Sequence, residues 1–220
     1  MNKNQTFSAK GLSVNRGDRA VFENLNFHIN SGELLKLVGP NGSGKSTLLK
    51  SLAGLLDLQS GTIDHNGQSV IGDTDWRSRS ICYLAHKNAL KNEFTVEENI
   101  TFWAELWQTE DQITAAIEQM GIKLLCDTPV AYLSSGQKRR TALARSLCHP
   151  ADIWLFDEPT VGLDDQGLRL LSNAMGKHMD AGGMILCATH VDLGIEEAKI
   201  TRLNLDDFSV NQNTDKTELW

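Results

Sequence analysis

Residues 5 to 30 alternate apolar and polar positions in two runs, the second carrying Phe22, Leu25, Phe27 and Ile29, with Arg16-Gly17-Asp18 as a turn between them. A period of two buries one face of a strand, so an antiparallel pair is expected here. Leu34 to Val38 reads as a compact strand, and KSTLLKSLAGLL switches to helical spacing that stops near Gly54. His65-Asn66-Gly67-Gln68 has the Asn-Gly centre of a tight hairpin. Ser80 to Ala85 reads as another buried strand, after which the pattern is helical through about residue 125. Two capping boxes are expected there, Thr95 with Glu98 and Thr109 with Gln112. From residue 133 the order is helix, strand (Ile153 to Phe156), helix (Asp165 to Met179) and strand (Met184 to Ala188), which implies parallel crossover units. The expectation is one α/β domain over residues 1–220: a mixed sheet with an N-terminal antiparallel β part, a small α-helical subdomain over about 87–150, and a polar, loosely held tail over about 206–220.

Composition narrows the classes. A chain of 220 residues can bury a full core, and its net charge of -7 argues against a general nucleic-acid binder, which needs a dense basic surface. Cys82, Cys126, Cys148 and Cys187 are far apart, form no Cys-x-x-Cys pair and lie among apolar residues, as buried thiols in a reducing cytoplasmic compartment do. The N-terminal MNKNQTFSAKG lacks the apolar core of a signal peptide, and nowhere does the chain reach the roughly 18 consecutive apolar residues of a spanning helix. Any contact with a membrane is therefore expected through a partner.

The chemistry begins at Gly39-Pro40-Asn41-Gly42-Ser43-Gly44-Lys45-Ser46-Thr47, which fits G-x-x-x-x-G-K-[ST] between an expected strand and an expected helix. Successive amides can converge on one phosphate only if glycines allow positive φ and close approach, and the helix dipole adds to the attraction. Lys45 is expected to reach the β- and γ-phosphates of ATP, and Ser46 to ligate Mg2+. No G-x-G-x-x-G occurs here, so a dinucleotide is not expected. The apolar strand Ile153-Trp154-Leu155-Phe156 runs into Asp157-Glu158. Asp157 is placed to approach the metal through water, and Glu158 to polarise the attacking water. An apolar strand ending in acids is common; its pairing with the phosphate loop is what gives it meaning.

YLSSGQKRR, residues 132 to 140, is a polar stretch at a helix start. With the phosphate loop, the Asp-Glu strand end and Leu133-Ser134-Ser135-Gly136-Gln137 in that order, the chain resembles the nucleotide-binding subunits of ABC transporters from its first strand to about residue 205. The resemblance implies a P-loop NTPase fold of ABC type and an ATP-sandwich homodimer, in which Ser134, Ser135, Gly136 and Gln137 of one copy contact ATP held by the other. It also implies that Val161-Gly162-Leu163-Asp164 is the D-loop and that His190 contacts the γ-phosphate, although a lone histidine after a strand is usually structural. Arg139 and Arg140 read as a solvated helix face.

Two positions depart from the family pattern. Where an aromatic usually stacks on adenine stands Arg16, whose planar guanidinium can stack too, or which is simply a turn residue facing water. Where the family has a glutamine that senses metal and water stands His86, a shorter polar group whose protonation depends on its surroundings. Both departures, with the short helical insertion and the phrases GELLKLVGPNGSGKSTLLKSLAGL and AGGMILCATH, are similar to the ATP-binding CcmA family of cytochrome c maturation complexes, often described as haem exporters. That likeness implies a permease of CcmB type at the cytoplasmic face of a bacterial inner membrane, with CcmC and the haem chaperone CcmE nearby. It leaves two alternatives, another ABC exporter or a soluble ABC-type ATPase acting on ribosomes or DNA. One cassette without a heptad insertion disfavours the latter. Phe94, Phe102, Trp103 and Trp107 form a stripe that is either core or partner groove. No Cys-x-x-Cys-His occurs and the histidines are scattered, so haem binding by this chain is not expected.

Overall fold

A computed structural model describes residues 5–17 and 19–209. Asp18 of the expected turn and the tail beyond Ser209 lie outside the described residues. The first sheet is antiparallel, with strand order β2-β1-β4-β5, built from β1 (Thr6–Arg16), β2 (Arg19–Asn30), β4 (Ser60–His65) and β5 (Gln68–Ser69). In β2 the step from Phe22 to Leu25 breaks strict alternation, and Asn24, at φ 53°, takes up the extra residue where the register against β1 shifts. Asn66 and Gly67, at φ 55° and 77°, make the left-handed turn that Asn-Gly favours between β4 and β5.

The second sheet is parallel, ordered β6-β7-β8-β3-β9, from β3 (Leu34–Val38), β6 (Ile81–Leu84), β7 (Ile153–Asp157), β8 (Met184–Ala188) and β9 (Ile200–Asn204). β7 and β8 are buried along their whole length, as strands covered on both faces must be. Alternate residues serve different layers. Trp154, Phe156, Ile185 and Cys187 pack toward α3 (Val96–Trp107), α4 (Ile113–Gln119), α5 (Ser135–Leu147) and α6 (Asp165–Asp180). Ile153, Leu155, Met184 and Leu186 pack toward α1 (Lys45–Leu52) and the antiparallel sheet.

Several expectations change. Ser80 closes a short polar helix, α2 (Thr74–Ser80), rather than opening β6. Thr95 and Glu98 form the expected capping box on α3, whereas Thr109 caps nothing: its hydroxyl donates to the carbonyl of Cys148 at 2.8 Å. Cys82, Cys148 and Cys187 are buried and Cys126 is half-buried. The start of the expected tail is a 3-10 turn over Leu205–Phe208, with Leu205 fully buried and Phe208 against the core. Arg139, expected in solvent, is 2 % exposed.

Candidate nucleotide site

The loop between β3 and α1 has the conformation that its glycines permit. Gly39 stands at φ 134°, where a Cβ would come within 2.7 Å of Ser43 Oγ, and Gly44 stands at φ 101°, where one would come within 2.9 Å of Val21. Gly44 is the N-cap of α1 and no side chain caps it, so first-turn amides are left for an anion. Lys45 is 7 % exposed, and its Nζ donates to the carbonyls of Gly39 at 2.7 Å and Pro40 at 2.9 Å. The ammonium thus braces the loop from within. Ser43 Oγ is buried without a hydrogen-bond partner among the described residues, a polar atom that a bound phosphate could serve.

Ser46 is the second residue of α1 and Asp157 ends β7; Ser46 Oγ donates to Asp157 Oδ1 at 2.9 Å. An alcohol and a carboxylate held together are the hard oxygen donors Mg2+ takes, usually completed by water and substrate phosphates. Among the described residues no group of three or more His, Cys, Asp or Glu side chains gathers that could hold a metal alone. Glu158 follows at φ 49°, a left-handed conformation uncommon for its type, with its amide donating to Ala188 O at 2.8 Å. His190 Nε2 stands 3.8 Å from Glu158 Oε1. Just before it, the hydroxyls of Thr189 and Thr160 meet at 2.9 Å, and the Val191 amide donates to Thr189 Oγ1 at 3.2 Å, fixing the chain that carries the histidine.

These groups line one open cavity of about 900 Å³, the size range of ligand pockets. The structure brings Arg16, Asn41, Gly42, Ser43, Gly44, Lys45, Ser46, Thr47, His86, Asp157, Glu158 and His190 to its wall. Gly39 and Pro40 contribute through their carbonyls. Val161, the first residue of the expected D-loop, also lines it, and so do Arg19, Ala20, Val21 and Ser209, which had no signal in the sequence.

Ser134, Ser135, Gly136, Gln137 and Asp164 do not line this cavity. Ser134 caps α5, its Oγ accepting from the Gln137 amide at 3.3 Å while Gln137 Oε1 accepts from the Ser134 amide at 2.9 Å. A Cβ on Gly136 would come within 2.6 Å of the Gly162 carbonyl, so the helix start packs on the loop before α6. Asp164 caps α6, accepting from the Gly167 amide at 2.7 Å.

A second cavity of about 550 Å³ lies between α1, α2, β6 and the helical part, walled by Leu55, Tyr83, Trp103, Leu106, Trp107 and His149. Trp107 stacks edge-on against His149 at 4.4 Å, while Phe102 and Leu106 are exposed, so the aromatic stripe is part core and part surface.

A phosphate loop on a parallel sheet, backed by an antiparallel sheet and a helical insertion, defines a P-loop nucleoside triphosphatase of ABC type. The ABC transporter family model matches residues 22–161. A "Cytochrome c biogenesis ATP-binding export protein CcmA" of Paramagnetospirillum magneticum is 42% identical over 93% of this chain and 96% of its own length, and one of Rhizobium meliloti is 42% identical over 87% and 94%. A solved ABC transporter ATP-binding protein from Pyrococcus furiosus superposes with a TM-score of 0.80 at 25% identity, over 93% of this chain and 100% of that one. The chain belongs to the ABC transporter family of ATP-binding subunits, in the group that CcmA represents. It is an ATPase coupled to transport.

Proposed function

We propose that this chain hydrolyses ATP to energise the haem-export or haem-chaperone release step of c-type cytochrome biogenesis. The relatives that are 42% identical to it, over 93% and 87% of its length, are named for cytochrome c biogenesis and ATP-binding export, which supports this reading. We assign it a peripheral place at the cytoplasmic face of a bacterial inner membrane, beside a permease of CcmB type with CcmC and CcmE nearby. Among the described residues no helix is long and apolar enough to cross a membrane, in keeping with contact through a partner. The exposed Phe102 and Leu106 beside the second cavity are the candidate permease contact.

In the catalytic reading, Lys45 exchanges the loop carbonyls for β- and γ-phosphate oxygens, and the amides of residues 42–47 surround the phosphates. Arg16 flanks the base. Ser46 and Asp157 hold Mg2+, which when bound neutralises phosphate charge. Glu158 polarises a water whose oxygen attacks the γ-phosphorus, its proton going to the carboxylate as the bond to the bridging oxygen breaks. His190 steadies Glu158 and the γ-phosphate, and His86 reports the state of the site to the permease. Two copies form an ATP sandwich in which Ser134, Ser135, Gly136 and Gln137, with Asp164 beside them, complete the partner's site. The exposed capped start of α5, set away from the cavity of its own chain, supports this arrangement.

The observation that carries the reading is one cavity walled by the bonded Ser46–Asp157 pair, Glu158 and His190, with His190 Nε2 3.8 Å from Glu158 Oε1. Glu158→Gln is expected to abolish turnover and trap an ATP-bound dimer, seen by sizing the variant with and without ATP-magnesium. A variant that stays monomeric in both would sink the sandwich. Purification from membranes should retain a permease, and a drug- or lipid-type permease there would overturn the haem assignment.

A further inference from the structure

Arg139 lies one turn into α5, and all its N–H groups are used. Nε donates to Pro159 O at 3.0 Å, Nη1 to Ala85 O at 3.0 Å and Asn88 Oδ1 at 2.9 Å, and Nη2 to Asp157 O at 3.1 Å and Glu158 O at 2.7 Å. Four of those acceptors are main-chain carbonyls and none is a carboxylate, which is unusual for a buried cation. A cation kept for charge pairing would find an acid; one donating to consecutive carbonyls fixes the path of the chain. The carbonyls of residues 157–159 bracket Glu158, whose left-handed φ of 49° needs such restraint, and those near residues 85–88 bracket His86. Burial pulls the Arg139 pKa down to about 10, which leaves it charged at neutral pH.

We propose that Arg139 is a positioning residue for ATP hydrolysis: its guanidinium, carried by the same helix that presents Ser134 to Gln137, sets the backbone from which Glu158 and His86 enter the site. The inference rests on the functional reading above, since it makes sense only if those side chains act on ATP. Movement of α5 would reach both of them through this one planar fork. Lysine has three donors on one compact nitrogen and cannot replace five bonds spread over a planar fork.

The test uses the full chain at saturating ATP-magnesium. Arg139→Lys is expected to fold, to bind a fluorescent ATP analogue within about threefold of wild type, and to lose roughly 10- to 100-fold in kcat with little change in KM, as misplacement of a catalytic group does. Asn88→Ala, which removes the one side-chain acceptor, is expected to lower kcat in the same direction by roughly threefold. A merely structural role would lower the melting temperature and leave kcat per folded molecule unchanged. If Arg139→Lys does not fold, Asn88→Ala decides alone. Turnover of Asn88→Ala, and of Arg139→Lys where it folds, within about twofold of wild type overturns this inference alone. Wild-type turnover no greater than that of Glu158→Gln would overturn the functional reading and this inference with it.

Discussion

Lys45 shows how much of the site is set before a nucleotide arrives. The residue is 7 % exposed and its ammonium already donates to two carbonyls of its own loop, so it is held close to where phosphate oxygens must come. Lys45→Met removes both bonds and the charge, and is expected to weaken nucleotide binding by roughly 10- to 100-fold, from hydrogen bonds to charged groups worth about 1.5–3 kcal/mol. Titration with a fluorescent ATP analogue measures it, and affinity within about twofold of wild type would contradict the role. This residue was legible because a loop that wraps an anion leaves little freedom in spacing. Arg139 was not legible. It sits next to Arg140 in sequence, but successive residues on a helix point about 100° apart, so one lies in the core while the other stays half-exposed near Gly121. The signal that could have found it is its spacing of three and four residues from Ala142 and Leu143, both buried.

At the scale of elements, α5 carries two duties at its start. Ser134 caps the helix, and the same end is proposed to face the partner's γ-phosphate. Ser134→Asp separates the two: aspartate caps as well as serine, so the melting temperature should hold, while its charge at that end should repel the phosphate and lower turnover by more than tenfold. ATP binding to the monomer should survive, because Ser134 does not line the cavity of its own chain. Loss of monomer binding, or unchanged turnover, would misplace the helix start. Strands β3 and β8 match their expected bounds end for end: β8, buried along its whole length, leaves an unbroken apolar signal, and Lys36 alone interrupts that of β3. Helix α2 left none, as it buries no residue, and β9 is an edge strand of mixed residues. The failed cap at Thr109 has another cause: its hydroxyl found a carbonyl far along the chain, which local spacing cannot show.

Across the whole molecule, two buried histidines tie stability to pH. His178 stacks on Trp154 at 3.8 Å and bonds the Asp152 carbonyl, while His149 is wedged against Trp107. Burial pulls both from 6.5 down to about 4. The unfolded chain takes up protons near pH 6.5 and the folded chain not until about pH 4, so the unfolded state binds more protons between them. Stability should therefore be full above about pH 6.5 and fall as pH drops toward about 4. Urea midpoints at about pH 7.5 and about pH 5 read the slope, and His178→Gln should make it shallower; an equal slope in the variant would remove His178 as its source.

The place of β3 in the parallel sheet has a consequence for synthesis. The antiparallel sheet is assembled from residues 6–69, all early in the chain. β3, which leads into the phosphate loop, pairs on one side with Met184–Ala188 and on the other with Ile200–Asn204. Both partners are translated well after it, so the loop waits without its flanking strands until they emerge. A product that stops short of β8 carries every residue of the phosphate motif and lacks the sheet that aims it, which makes nucleotide affinity a report on whether those strands were made.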